Sequence, residues 1–312
     1  MSAPLAPRAV IVRRPTEFEL LIAEHGTRAQ AAFYLERQGV KIVDVEERHR
    51  RIASALNAVR AQIPRIWRSI VLMRADLDRF VFEPSDIIIA VGQDGLVANV
   101  AKYLEGQYVI GINPDRHSYE GVLVPHEPAA AADLLADCVA DRAPFEGRTM
   151  VEATLDDGQR LKALNELFVG HRSHQSARYR LMVETDDEHQ SSSGIIVSTG
   201  TGATGWARSI NLERNNIVTL PKPEERALAF FVREAFPGSG FTTARTFGRI
   251  TSINKLTVIS EMNVGGVLFG DGIEEDSVEF GWGAVAQIGL SETRLRLVSA
   301  TQVAQTQRTL SA

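Results

Sequence analysis

A chain of 312 residues has room for one large domain or two of ordinary size, and 44% hydrophobic against 23% charged residues is the balance of an ordinary globular protein. The formal charge of -5 carries no electrostatic footprint for nucleic acid, and no apolar run approaches the roughly 20 residues a membrane helix needs. The single cysteine, Cys138, excludes an internal disulfide and suits a reducing compartment. Residues 9 to 12 are too short for the apolar core of a signal peptide, so the expectation is a cytoplasmic protein with neither nucleic-acid nor membrane partners.

Residues 9 to 12 predict a first strand, and residues 25 to 37 a helix with Ala31, Tyr34 and Leu35 on one side and Gly39 as its stop. Residues 40 to 45 roughly alternate and predict a second strand. Residues 48 to 62 are helical, with Ile52, Leu56 and Val59 on one face; Arg48, Arg50, Arg51 and Arg60 mark a solvated face more simply than a phosphate site. The run Ile87-Ile-Ile-Ala-Val91 predicts a strand buried on both faces. The chain then turns through Gly92-Gln93-Asp94-Gly95 into a helical pattern of Val97, Val100, Ala101 and Leu104. With a further strand over 108 to 112, the alternation indicates a doubly wound parallel sheet. The loop from 111 to 121 carries Asp115, Arg116 and His117 at the expected carboxyl edge, where Arg116 either reaches a phosphate or pairs with Asp115. Residues 128 to 141 predict a helix.

From 149 onward the pattern is mostly of strands, at 149 to 155, 160 to 169, 177 to 183, 195 to 198, 256 to 259, 264 to 269, 285 to 288 and 295 to 298. A helix is expected over 224 to 234 and a loop over 237 to 240. The fold class is therefore an α/β N-terminal domain, a doubly wound parallel sheet, plus a β-rich C-terminal domain. The expected boundaries are 1–126 for the first, 127–300 for the second and 301–312 for a mobile tail.

Three stretches carry chemistry. Asp94, flanked by Gly92 and Gly95, lies at the carboxyl end of a buried strand, where open α/β sheets place their ligands. The glycines admit a close approach and the helix start favours phosphate; a carboxylate there repels phosphate unless it acts as a base or through a metal. The plainer reading is a tight turn, which the helical periodicity after it opposes. Next, Asn165-Glu166 sets an amide beside a carboxylate inside an apolar segment, a pair suited to the two hydroxyls of a ribose, although an edge strand with ordinary polar residues also explains it. Last, a short strand feeds a loop in which Ser198, Thr199, Thr201 and Thr204 interleave with Gly200, Gly202 and Gly205 before Trp206. Hydroxyls and bare backbone suit phosphate oxygens, and Trp206 offers a flat surface for a base.

In this order the three stretches resemble the NAD kinase family, which has a Gly-Gly-Asp-Gly-Thr loop, then an Asn-Glu pair, then a Thr- and Gly-rich loop ending in an aromatic residue. The resemblance is closest to the mitochondrial-type branch and extends to Gly111-Ile-Asn113, Ser192-Ser-Gly194, Arg233-Glu-Ala-Phe236 and Phe269-Gly-Asp-Gly272. It implies transfer of a phosphoryl group from ATP, or polyphosphate, to the 2′-hydroxyl of the adenosine ribose of NAD, with Mg²⁺. It makes Asp94 the base, Gly92, Gln93 and Gly95 nucleotide-binding residues, and Asn165 and Glu166 the ribose holders. It assigns Thr199, Thr201, Gly202, Thr204, Gly205, Trp206 and Ser209, with Arg116, to nucleotide binding, with no metal ligand among the side chains. It also implies a homo-oligomer, a dimer first. The departures are Gln93 for the family's second glycine and Leu96 for its threonine, which removes one hydroxyl donor. Two rivals follow: a catalytically weak NAD- or NADP-binding protein, and a kinase for another hydroxyl such as a lipid's. His171 and His174 lack a third ligand for zinc, and a solvated hairpin turn explains Asp271, Glu274, Glu275 and Asp276 more simply than calcium.

Overall fold

A segment that is apolar on both faces has to lie between two covering layers. In the computed structural model, which describes residues 7–118 and 120–299, the chain meets that demand first at β1 (Arg8–Arg13), whose residues 9 to 12 are wholly buried. Two short helices follow, α1 (Glu17–His25) and α2 (Arg28–Glu36). Thr16 and Glu19 form a reciprocal capping box before the first, and the Thr27 hydroxyl accepts from the Gln30 amide before the second. α3 (Ile42–Gln62) is one helix of 21 residues. The strand expected over 40 to 45 is therefore the start of α3. Val45 packs with Leu21, Ala31 and Leu35, and that burial outweighs the local strand preference of Ile42 and Val43.

β2 (Arg68–Met73) was not expected; it is a sheet-edge strand with an exposed first half and no apolar alternation to announce it. β3 (Ile87–Val91) leads through the glycine loop into α4 (Asp94–Ala101), followed by β4 (Tyr108–Ile112), α5 (Ala131–Val139) and β5 (Phe145–Arg148). The second half supplies β6 (Val151–Leu155), β7 (Arg160–Ala163), β8 (Glu166–His171), β9 (Ala177–Val183), β10 (Asp186–Ser192) and β11 (Ile195–Ser198), then α6 (Trp206–Glu213). β12 (Leu228–Val232), β13 (Phe247–Ile250), β14 (Leu256–Ser260), β15 (Gly266–Gly270), β16 (Ile273–Glu279), β17 (Val285–Leu290) and β18 (Leu295–Val298) complete it.

The first sheet runs β2-β1-β3-β4-β18-β5, with the pairs β2/β1, β1/β3, β3/β4 and β4/β18 all parallel. α3 and α5 pack on one face with Ile11, Ile89 and Ile110, while α4 buries Leu96, Val97 and Val100. From β1 the chain goes to one neighbour and then crosses to the other, so the strand order reverses beside β1. The carboxyl ends of β1 and β3 therefore form the topological switch point of a doubly wound sheet.

The second unit is a pair of antiparallel sheets, β10-β9-β14-β17-β6-β7 and β13-β12-β11-β8-β15-β16. A shared core joins them, including Val151, Val169, Tyr179, Val197, Phe230 and Val258. The helix expected over 224 to 234 is instead strand β12, paired on both sides by β11 and β13. Five consecutive buried apolar residues leave no polar face for a surface helix. The single strand expected over 160 to 169 is broken at Leu164-Asn165.

The division also differs from the expected boundary near His126. Among the described residues one compact unit runs to Glu146 and takes back the segment from Arg296, and the other spans Gly147–Leu295. Leu134, Leu135 and Cys138 of α5 belong to the first core, and the His126 ring bonds the Val298 carbonyl at 2.9 Å, so both segments stay with the first sheet. The tail over 301–312 lies outside the described residues. Among those described, no helix is long and apolar enough to cross a membrane.

Candidate active site

In the first unit the glycine loop does what its sequence suggests, carrying the chain from a buried strand into a helix. The Gly92 amide bonds the Ile112 carbonyl at 3.0 Å, Gln93 occupies the N-cap position and Asp94 is the first helical residue. The Asp94 carboxylate is half-buried and accepts the backbone amides of Val122, at 3.1 Å, and Leu123, at 2.7 Å. Each oxygen keeps lone-pair capacity beyond that one bond, so the group is oriented by the 122–123 backbone while still able to accept a further proton or hydrogen bond. Gln93 and Gly95 are exposed.

In the second unit Asn165 lies in the break between β7 and β8 and Glu166 opens β8, and the backbone around them is tied down. The Asp271 carboxylate accepts the Leu164 amide at 3.0 Å and the Asn165 amide at 2.6 Å, and the Asp271 amide bonds the Glu166 carbonyl at 3.0 Å. From the other side the Thr199 amide bonds the Asn165 carbonyl at 2.8 Å, and its hydroxyl donates to the Leu164 carbonyl. That same hydroxyl oxygen accepts the Thr201 and Gly202 amides. The side chains of Asn165 and Glu166 have no hydrogen-bond partner among the described residues. Burial, and then the charge of Asp271, pushes the Glu166 carboxyl up to about 7.

The Thr- and Gly-rich loop closes this junction. Thr199, Thr201 and Gly202 are buried, whereas Thr204, Gly205 and Ser209 are exposed. Trp206, at the start of α6, is 37% exposed. Its indole stacks on Phe168 at 6.1 Å between centroids and 10° between planes, and the Arg233 guanidinium lies 4.9 Å from its centroid. These side chains and Phe269 help to wall a cleft of about 550 Å³.

No protein-family model matches the chain. Among curated proteins it is 29% identical over 224 residues to the NAD kinase of Cupriavidus pinatubonensis, covering 67% of the chain and 66% of that protein. It is 30% identical over 127 residues to the NAD kinase of Chlorobaculum tepidum, covering 40% and 44%. Human "NAD kinase 2, mitochondrial" matches at 28% over 181 residues, 46% and 38%. Matched stretches thus span less than two thirds of these relatives' length. Over these stretches the chain is similar to NAD kinases. The fold agrees: yeast NADH kinase complexed with NADH superposes with a TM-score of 0.60 at 12% identity over 98% of the chain and 86% of its own. An NAD kinase from Archaeoglobus fulgidus in complex with ATP gives 0.56 at 20%, over 95% and 94%.

Against the family's loop, the two departures behave differently. Gln93 projects into solvent, whereas Leu96 is wholly buried and belongs to the core beneath the loop. Of the two readings of Arg116, the pairing with Asp115 is not formed. Arg116 pairs with Glu127 at 3.4 Å and bonds the Pro125 carbonyl, while Asp115 pairs with Arg51 at 3.0 Å and accepts from Ser118. Arg48, Arg50 and Arg51 bond within the helical layer, to Glu17, the Glu46 carbonyl and Glu47.

Asp271 is the residue that sequence reading passed over. It was grouped with its acidic neighbours as a hairpin turn, and it is one, with a left-handed φ of 55°. Its carboxylate nevertheless serves a turn more than 100 residues earlier. No group of three or more His, Cys, Asp or Glu able to hold a metal occurs among the described residues. A magnesium ion carried on nucleotide phosphates needs only one or two protein carboxylates and keeps several waters, and the remaining acceptor capacity of Asp94 fits that modest demand.

Proposed function

We propose that the chain phosphorylates NAD, transferring a phosphoryl group from ATP, or from polyphosphate, to the 2′-hydroxyl of the adenosine ribose and giving NADP. The observation that carries this reading is the Asn165–Glu166 turn. Thr199 and Asp271 engage the Asn165 amide and carbonyl and the Glu166 carbonyl, while the amide and carboxylate side chains have no hydrogen-bond partner among the described residues. A fixed pair that both donates and accepts suits adjacent ribose hydroxyls. The relatives carry the name NAD kinase, and the two solved neighbours are described with NADH and with ATP.

In this reading Asn165 and Glu166 hold the ribose, and Asp94 takes the proton from the attacking hydroxyl. Gly92, Gln93 and Gly95 let the donor approach the loop. Thr201, Gly202, Thr204, Gly205, Trp206 and Ser209 bound the nucleotide on the second unit. Bound with the donor, Mg²⁺ would neutralise charge on its phosphates; the residues supply positioning and a base, which is most of what phosphoryl transfer asks of a protein. The exposed part of Trp206 supports a homo-oligomer, a dimer first, in which this face is covered. The single buried thiol, Cys138, fits a cytoplasmic location.

The test is NADP formation by the purified protein with NAD, ATP and Mg²⁺, read through an NADP-specific dehydrogenase, with Asp94→Asn alongside. Loss of a positioned base should lower turnover by roughly 10² to 10⁴; because asparagine keeps only one of the two oxygens that accept the Val122 and Leu123 amides, the melting temperature of the variant is recorded beside its turnover. Unchanged turnover in the variant would remove Asp94 from the mechanism. No turnover by the native protein, with NADP still raising its melting temperature, would indicate a binding protein instead.

A further inference from the structure

The first unit holds a crevice that the NAD-binding residues do not line. It encloses about 270 Å³ beside the glycine loop, between Arg14 and Thr16 after β1, His49 of α3, and Gly92, Gln93 and Leu96 after β3. Its place follows from the topology, because β1 and β3 end side by side where the strand order reverses. Its floor is apolar, formed by Val91 and Leu96, with Val45 and Ile52 of α3. Position 96 therefore offers no hydrogen bond, although the family's loop carries a threonine hydroxyl there.

The polar groups of the crevice are mostly engaged with one another. Glu17 and Arg48 form an ion pair at 2.7 Å, and the Thr16 hydroxyl lies 2.8 Å from His49 Nδ1. Among the charged side chains of the crevice, Arg14 is the exception to this pairing. Its guanidinium bonds the neutral Asn99 Oδ1, and no carboxylate lies within ion-pair distance of it among the described residues. Although the residue as a whole is solvent-accessible, neighbouring atoms crowd its head group. That burial and the nearby charge of Arg74 hold its pKa below the ordinary arginine value. It also faces the loop directly: its Nη2 lies 3.4 Å from where a Cβ on Gly95 would stand. An accessible guanidinium without a countercharge, at the switch point and against a glycine loop, is arranged for an anion, and its fork matches phosphate oxygens.

We propose that Arg14 holds the condensed phosphate chain of the phosphoryl donor in this crevice, supplying the contact that Leu96 cannot. This rests on the kinase reading and deepens it. ATP and linear polyphosphate share the chemistry recognised, and the experiment separates them.

The melting temperature of the full chain is measured with Mg²⁺ and inorganic tripolyphosphate, ATP or adenosine, without NAD, for the native protein, Arg14→Gln, Arg14→Lys and Gln93→Glu. Tripolyphosphate and ATP should each raise it in the native protein, and adenosine should not. Arg14→Gln should lose the tripolyphosphate response, and Arg14→Lys should keep part of it. Gln93→Glu, a change at an exposed position, should weaken the response by charge repulsion without disturbing the fold. In steady state Arg14→Gln should raise the KM for ATP roughly ten- to a hundredfold and leave that for NAD within about twofold. A native protein indifferent to tripolyphosphate, an Arg14→Gln variant with the native response, or equal rises in both KM values would overturn the proposal. Absence of NADP formation by the native protein would count against the kinase reading alone; the tripolyphosphate response and its dependence on Arg14 would still decide the phosphate site.

Discussion

Asp271 and Asn165 are joined by a 2.6 Å hydrogen bond from the Asn165 amide to an Asp271 carboxylate oxygen, across a sequence separation of 106. The second oxygen takes the Leu164 amide and the Asp271 amide returns to the Glu166 carbonyl, so one aspartate in the β15–β16 turn sets the backbone of the break between β7 and β8. Its left-handed φ is a conformation that aspartate tolerates better than most residues.

Replacing Asp271 by alanine removes both carboxylate acceptors and leaves two amides to find water. Stability should fall by about 1–3 kcal/mol, and NAD affinity should weaken roughly tenfold as the turn loosens, with ATP affinity little changed. Denaturant unfolding and separate titrations with the two nucleotides measure this. Unaltered NAD affinity in a destabilised variant would confine Asp271 to a structural role.

Glu166 makes stability depend on pH. Its folded pKa is raised to about 7 by burial and by Asp271, above the roughly 4.3 of an unfolded glutamate. Between those values the folded state binds more protons than the unfolded one, so stability declines as pH rises through this window. The ionised group's penalty is fully present above 7 and absent below about 4.3. Glu166→Gln should therefore be more stable than the native protein at pH 8, by up to about 3 kcal/mol, with the gain shrinking towards pH 5. An equal difference at both pH values would contradict this origin.

Restoring the family's threonine at position 96 should harm the fold. Leu96 is wholly buried, and Leu96→Thr both opens a cavity and buries a hydroxyl, at about 2–4 kcal/mol. Urea unfolding reads it directly. A variant as stable as the native chain would mean that the floor of the crevice can rearrange around a polar side chain.

Gly202 is needed for close approach. A Cβ there would overlap the Asn165 carbonyl oxygen and crowd the Ser198 hydroxyl, in a junction where the neighbouring backbone is already bonded on both sides. Gly202→Ala should push the Thr- and Gly-rich loop away from the Asn165–Glu166 turn, lowering the melting temperature and NAD affinity together. Gly205, whose added Cβ would meet only the Gly202 carbonyl at 3.6 Å, should accept alanine with a smaller effect. Equal tolerance at the two positions would argue that the loop is not packed against the turn.

Local residue chemistry determined much of this protein. Ile87-Ile-Ile-Ala-Val91 has no polar face, so it had to be a covered strand, and the glycines after it had to turn into the helix that Val97, Val100 and Ala101 announce. The same reasoning marked Asn165-Glu166 and the loop from Thr199 to Trp206 as places where polar groups and bare backbone are concentrated. Periodicity records which face a segment buries, and at these stretches that was enough.

Tertiary structure decided what depends on distant partners. Ile42 and Val43 read locally as strand, yet the contacts of Val45 with Leu21, Ala31 and Leu35 extend α3 through them. Residues 224 to 234 read as helix, yet β11 and β13 flank β12 on both sides. β18 returns to β4 from nearly 200 residues away, which no local pattern could announce and which moved the domain boundary. Asp271 and Arg14 were overlooked for the same reason. A carboxylate bonded to a turn 106 residues earlier, and a guanidinium whose lack of a countercharge is visible only once its neighbours are in place, are properties of packing rather than of local composition.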